Sequence, residues 1–323
     1  MGTDAVWRLV QVLSGGRTWL VHLGLFAVIA SWAVNQILTK SILGAVSPLA
    51  FLGARFIGLD ALAVLVLVRG HSAWTRRDVV LAAAAGVGGF FFNQLGFALG
   101  LSQTTVFSTS LLIATSPIFA LLGLALWRLE RVRPRQWLGV AVAFAGIALF
   151  LSDGARLGLG PGDLLSLMAG LTFACLNVFN KPVLQRHGSG EVLAVNLLSG
   201  GLPLLLLCGS AMAHQPWRAV PAADWAAIAY TVVIPVFAGY QVWNWAVKQV
   251  GVGRTIAYAN LTPLLAGVLS AVVFAETFDL GKLVGAAACL VGLALAAGRG
   301  RARSEPASAG VGVAEVVGRQ AVQ

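Results

Sequence analysis

The chain has 323 residues, of which 58% are hydrophobic and only 11% charged, with a mean hydropathy of +0.85. Soluble domains average about 25% charged residues, so this composition excludes a single water-soluble core and points to a polytopic membrane protein. The net charge of +10 does not indicate nucleic-acid binding, because the basic residues cluster at the ends of apolar segments.

Residues 1–18 are mixed in character, show no cleavable signal and are expected to be cytoplasmic. Ten apolar segments follow, at 19–38, 46–68, 79–101, 104–127, 137–153, 163–184, 191–213, 223–247, 254–275 and 279–298. Most reach the roughly 20 residues that a helix needs to cross the hydrocarbon core. Residues 299–323 read as a disordered cytoplasmic tail. With the N-terminus inside, 17 of the 22 Lys and Arg fall on the inner side. Lys40, Arg156, Arg218 and Lys282 fall outside, and Arg55 lies within a span. This bias predicts both termini in the cytoplasm. Cys175, Cys208 and Cys289 all lie in apolar segments without CxxC spacing, which predicts packing rather than metal or disulfide chemistry.

The ten segments divide into two sets of five. A shift of 146 residues lays Pro117 on Pro263, Glu130 on Glu276, Gly139 on Gly285 and Gly146 on Gly292 without a gap. It also lays Ser116 on Thr262 and Phe97 on Trp243, while a shift of 142 pairs Asn35 with Asn177. The predicted repeats are 19–153 and 162–298. An odd number of crossings per repeat inserts the second upside down, an arrangement used to move small solutes by alternating access. The predicted fold is all-α: ten transmembrane helices in two inverted five-helix repeats.

Each half resembles an EamA domain of the drug/metabolite transporter superfamily. The resemblance rests on Trp32–Asn35, Arg55, Ser116–Pro117, Glu130, Gly139 and Gly146, and on Thr262–Pro263, Glu276, Gly285 and Gly292. It implies a multi-pass carrier of the inner (plasma) membrane, often an exporter, with a central cavity lined mainly by helices 1, 3, 4, 6, 8 and 9.

Polar groups inside a bilayer are costly and usually face the bundle interior. The candidate solute-binding residues are Trp32, Asn35, Asn93, Gln94, Phe97, Asn177, Tyr240, Gln241, Asn244, Tyr258 and Asn260. Amides offer donors and acceptors together and aromatics offer flat apolar walls. That lining suits a neutral or zwitterionic metabolite such as an amino acid. Efflux of lipophilic or cationic drugs and transport of a nucleoside or nucleobase are the alternatives. Each amide has a structural reading too, as a hydrogen bond between helices. Pro117 and Pro263 are candidate hinges, since each frees the carbonyl four residues earlier, Ile113 and Ala259. Arg55 and Asp60 are candidates for coupling or gating: Arg55 as an anchor for a carboxylate, Asp60 as a proton carrier, or both as interhelical polar contacts. Glu130 and Glu276 read as helix-terminal contacts within each repeat.

The glycine spacings Gly96/Gly100, Gly281/Gly285, Gly139/Gly146 and Gly285/Gly292 predict close helix packing, and leave open a homodimer through the fifth and tenth segments. HExxH, a Walker A loop and clustered His with carboxylates are missing from the sequence, so neither an enzyme nor a metal or other cofactor is expected. The expected partners are a small-molecule solute and the lipid bilayer, not nucleic acid.

Overall fold

The computed structural model describes residues 3–70, 73–126, 133–153, 156–157 and 159–296. Glu130 and the tail 299–323 lie outside the described residues. The chain runs through α1 (Thr3–Ile42), α2 (Pro48–Arg69), α3 (Arg76–Gln103), α4 (Val106–Ile113 and Ser116–Leu126) and α5 (Pro134–Phe150). It continues through α6 (Pro161–Leu184), α7 (Ser189–His214), α8 (Ala222–Val250), α9 (Val252–Ala259 and Thr262–Phe274) and α10 (Leu280–Ala296). The first helix begins at Thr3 rather than at residue 19, so the mixed N-terminal segment continues it. The all-α expectation meets one small departure, a two-residue antiparallel bridge of Ser152 with Leu157 and Asp153 with Arg156.

Eight of these helices are long and apolar enough to cross a membrane; α5 and α10, at 17 residues, are shorter apolar helices. Helix starts follow local chemistry. Ser47, Thr75 and Thr105 each accept a backbone N–H from the first turn. Pro48, Pro134 and Pro161 stand where a missing N–H costs nothing.

Packing follows the sequence repeat. α2 packs on α7 and α5 on α10, each helix against its own counterpart in the other half. The α3–α6 contact is mirrored by α1–α8, and α4–α6 by α1–α9. α2 and α7 run antiparallel, because Gln215 beyond α7 bonds Ser47 and Ala45 before α2, while Glu191 at the start of α7 lies beside Gly70 at the end of α2.

Departures from regular helix also repeat. α4 breaks at Ala114–Thr115 and α9 at Asn260–Leu261, 146 residues later. α3 and α8 each contain a π-helical stretch, Ala85–Phe91 and Val232–Ala238. Pro117 and Pro263 thus sit in the first turn after a full break, and not at a kink in a continuous helix.

The glycines act within the chain. A Cβ at Gly139 or Gly146 would overlap backbone of α10, and one at Gly285 or Gly292 would overlap backbone of α5. Gly96 and Gly100 receive α6 in the same way. These four glycines of the α5/α10 stripe are taken up by the intramolecular pair. Gly281 meets only the side chain of Asp279 and takes no part in the stripe. We expect Gly146→Val to force the two helices apart and cost about 3 kcal/mol. Gly209 faces open space, so Gly209→Ala should be neutral or stabilising by up to about 1 kcal/mol. Thermal melts of both variants in detergent check this pair.

Candidate functional site

A cavity of about 80 Å³ lies where the broken helices meet the centre of the bundle. Its wall is built from α1, α3, α4, α6, α8 and α9, as the resemblance implies, and from α2 through Arg55. Of the predicted residues, Trp32, Asn35, Asn93, Gln94, Phe97, Tyr240 and Arg55 line it. No lining residue is acidic.

Arg55 is 1% exposed and organises the polar side of the cavity. Nη1 donates to Gln94 Oε1 at 3.1 Å, and Nη2 donates to Asn35 Oδ1 at 3.2 Å and to the Thr231 carbonyl at 3.3 Å. Pro235, four residues on, has no N–H to give that carbonyl an α-helical bond. The amides form a relay directed away from the guanidinium: Gln94 Nε2 donates to Asn93 Oδ1 at 2.9 Å, and Asn93 Nδ2 donates to Ala169 O at 2.8 Å. The Phe51 ring lies 5.5 Å from the guanidinium carbon. Every one of these partners is neutral, and Nε has no partner among the described residues.

Three further polar atoms of cavity-lining residues are buried and unpartnered: Gln36 Oε1, Ser116 Oγ and Thr262 Oγ1. Ser116 and Thr262 are the equivalent first residues of the second half-helices of α4 and α9. The sequence reading treated them as repeat markers beside the prolines and did not choose them as site residues; their polarity next to matched prolines was the available signal. The half-helix N-termini also bring partial positive charge to the cavity.

The other wall is aromatic. Trp32 has ring-centroid distances of 4.9 Å to Trp243, 5.5 Å to Tyr240 and 5.9 Å to Phe173. Its indole N–H donates to the Pro235 carbonyl at 2.9 Å, which holds the ring against the π-helical stretch of α8.

Five candidates do not line the cavity. Asn177 is a strut, donating to Phe173 O and accepting from Trp243 Nε1 at 2.9 Å. Gln241 lies beside Gly190 at the start of α7. Asn244 is buried with an unpartnered Nδ2, one turn beyond Tyr240. Tyr258 bonds His22 and packs on Phe26. Asn260 occupies the α9 break itself. Asp60 points away from the cavity and makes no polar pair with Arg55 or another described residue. Glu276 accepts from Val106 N in α4, so its contact joins the two repeats rather than lying within one.

The bundle is fastened differently at its two ends. At one, Asp78 is 2% exposed, pairs with Arg186 and bonds His187 Nε2 at 3.1 Å. His187 stacks on Trp74 at 3.9 Å, and its carbonyl accepts from Lys248 Nζ. At the other, Lys40 Nζ donates to the Leu101 and Thr104 carbonyls, and Thr104 Oγ1 donates to Asp163. The sequence reading did not single out His187, whose partners Asp78 and Trp74 lie in the other repeat.

The comparisons with known proteins agree with this geometry. Residues 19–152 and 160–298 each match the EamA-like transporter family. A probable terminal-alkyne amino-acid exporter of Streptantibioticus cattleyicolor is 29% identical over 68% of this chain and 73% of its own length. A probable amino-acid metabolite efflux pump of Salmonella typhimurium is 24% identical over 82% and 91%. A solved crystal structure superposes with a TM-score of 0.60 at 19% identity, covering 85% of this chain and 96% of that one, which shows a common fold. With both halves matched in full, the chain belongs to the EamA-like transporter family and is a multi-pass transporter of the inner membrane.

Proposed function

We propose that this transporter exports a small zwitterionic metabolite of the amino-acid class by alternating access around the Arg55 cavity. The observation that carries this reading is the uncompensated guanidinium. A charge at the bilayer centre costs about 2.5–3.5 kcal/mol on insertion scales, and Arg55 meets only neutral acceptors. A solute carboxylate at the free Nε would supply the missing counter-charge. Gln36 Oε1 can accept from an ammonium group, the Ser116 and Thr262 hydroxyls at the half-helix N-termini can donate to a carboxylate, and the Trp32–Tyr240–Phe173 wall can receive an apolar side chain. The names of two relatives, an amino-acid exporter and an amino-acid metabolite efflux pump, support the same class.

The topology proposed with this function has ten crossings and both termini in the cytoplasm. The 17 residues of α5 and of α10 reach about 25 Å, the low end of a membrane span. The inner side then holds Trp74, Asp78, His187 and Lys248, and the outer side Lys40 and Glu276.

Counterflow exchange in proteoliposomes, with labelled amino acids, nucleosides and one lipophilic cation, tests the reading. Saturable exchange of an amino acid is the expected outcome, and exchange of the cation alone would overturn it. Arg55→Gln should raise the KM for carboxylate solutes about tenfold or more, from the loss of a charge-assisted hydrogen bond of roughly 1.5–3 kcal/mol. Arg55→Lys should recover part of that loss, and a methyl-ester solute should not distinguish Arg55→Gln from the parent. The double variant Pro117→Ala, Pro263→Ala lets both broken helices continue, so it should lower the maximal exchange rate and leave KM nearly unchanged in the same assay.

A further inference from the structure

Asp60 is the one group of the α2 helix that neither the packing nor the cavity explains. It is 7% exposed, and neither carboxylate oxygen has a hydrogen-bond partner. It follows Arg55 by five residues, which places it about 7.5 Å along α2 and about 140° round it. Arg55 therefore serves the cavity while Asp60 faces α7. There the carboxylate fills the space left by Gly201: a Cβ at that position would collide with both oxygens. The seat lies on the α2–α7 contact, where the two halves of the chain meet.

The helices packed most closely on α2 are α7, α3 and α8. Their titratable groups are directed elsewhere or stand at helix ends. On α7, Glu191 lies by Gly70, Cys208 by Gly53, and His214 bonds Ser210 O. On α3, Arg76 and Arg77 stand at the helix start, with Asp78 on Arg186 and His187. On α8, Asp224 is in the first turn, Tyr230 follows it, Tyr240 lines the cavity and Lys248 bonds His187 O. Among the described residues, no positive group pairs with Asp60. A carboxylate with neither hydrogen bond nor counter-ion is among the most expensive groups to bury. A metal ion would need about six oxygen ligands, and the described residues hold no group of three His, Cys, Asp or Glu. A proton needs one oxygen.

We propose that Asp60 is a proton-binding site at the interface between the repeats, and that its proton is the ion exchanged during transport. One carboxylate oxygen takes a proton from water on one side, forming the neutral acid that this seat accommodates. Movement of the halves against each other exposes the seat to the other side, where the O–H bond breaks and the proton returns to water. This inference rests on the transporter reading, and it adds the coupling ion.

The test joins a readout that needs no solute to one that does. Infrared difference spectra of the reconstituted protein between alkaline and acid buffer should contain a protonated-carboxyl C=O band that Asp60→Asn removes. Identical spectra for the parent and Asp60→Asn would overturn the site. Accumulation of radiolabelled leucine and phenylalanine against a pH gradient should be lost in Asp60→Asn, which mimics the protonated acid, while gradient-free counterflow persists. Gradient-driven accumulation that survives in Asp60→Asn would overturn the coupling. Loss of counterflow by the parent protein as well would count against the carrier reading, and the infrared band would still decide the proton site. Should Asp60→Asn fail to fold, Gly201→Ala places a methyl group on the seat and should shift the same band; an unshifted band overturns the assignment.

Discussion

A positive charge held in the middle of an apolar bundle sets most of what surrounds it. Arg55 cannot be solvated by lipid, so the protein surrounds it with oxygen. Two amide oxygens come from α1 and α3, and a main-chain oxygen comes from α8. The last comes from the turn before Pro235, which has no N–H to offer it an α-helical bond. Pro235 lies within the π-helical stretch, and its carbonyl fixes the Trp32 indole. The charged side of the cavity and its aromatic side thus each take one main-chain acceptor from the same irregular stretch of α8.

Rigidity and yielding are distributed by the same logic. α5 and α10 meet backbone to backbone over four glycines and leave no room for relative movement. Around the cavity, α4 and α9 are broken and α3 and α8 are under-wound at matched positions. The cavity itself is small beside the roughly 300–1,000 Å³ of ligand pockets, so admitting a solute requires these segments to part. The fastenings at the two ends differ in kind. One is an ion pair with a stacked ring; the other is a lysine on carbonyl oxygens. Salt weakens the first more than the second.

Much of this was legible in the residues. The apolar segments and the 146-residue offset carry the helical order, because length and composition alone determine which stretches suit a bilayer. Trp32, Asn35, Asn93, Gln94, Phe97 and Tyr240 were found because an amide or large aromatic in mid-helix calls for a reason. Asn177, Gln241 and Asn244 satisfied the same criterion and turned elsewhere. Hydropathy gives depth along a helix but not its rotation, and the π-helical stretches of α3 and α8 change that rotation midway. The Arg55–Thr231 bond was hidden for another reason: it joins residues 176 apart through a main-chain atom that no side-chain pattern reveals. His187 was missed because its partner Asp78 lies 109 residues away in the other half.

The two repeats have not remained copies. α2 carries Arg55 and Asp60 in mid-helix, while its counterpart α7 carries no charged residue between Glu191 and His214. The pseudo-twofold relation of the halves therefore does not extend to charge, and the cavity presents a guanidinium on one side with no charged equivalent across from it.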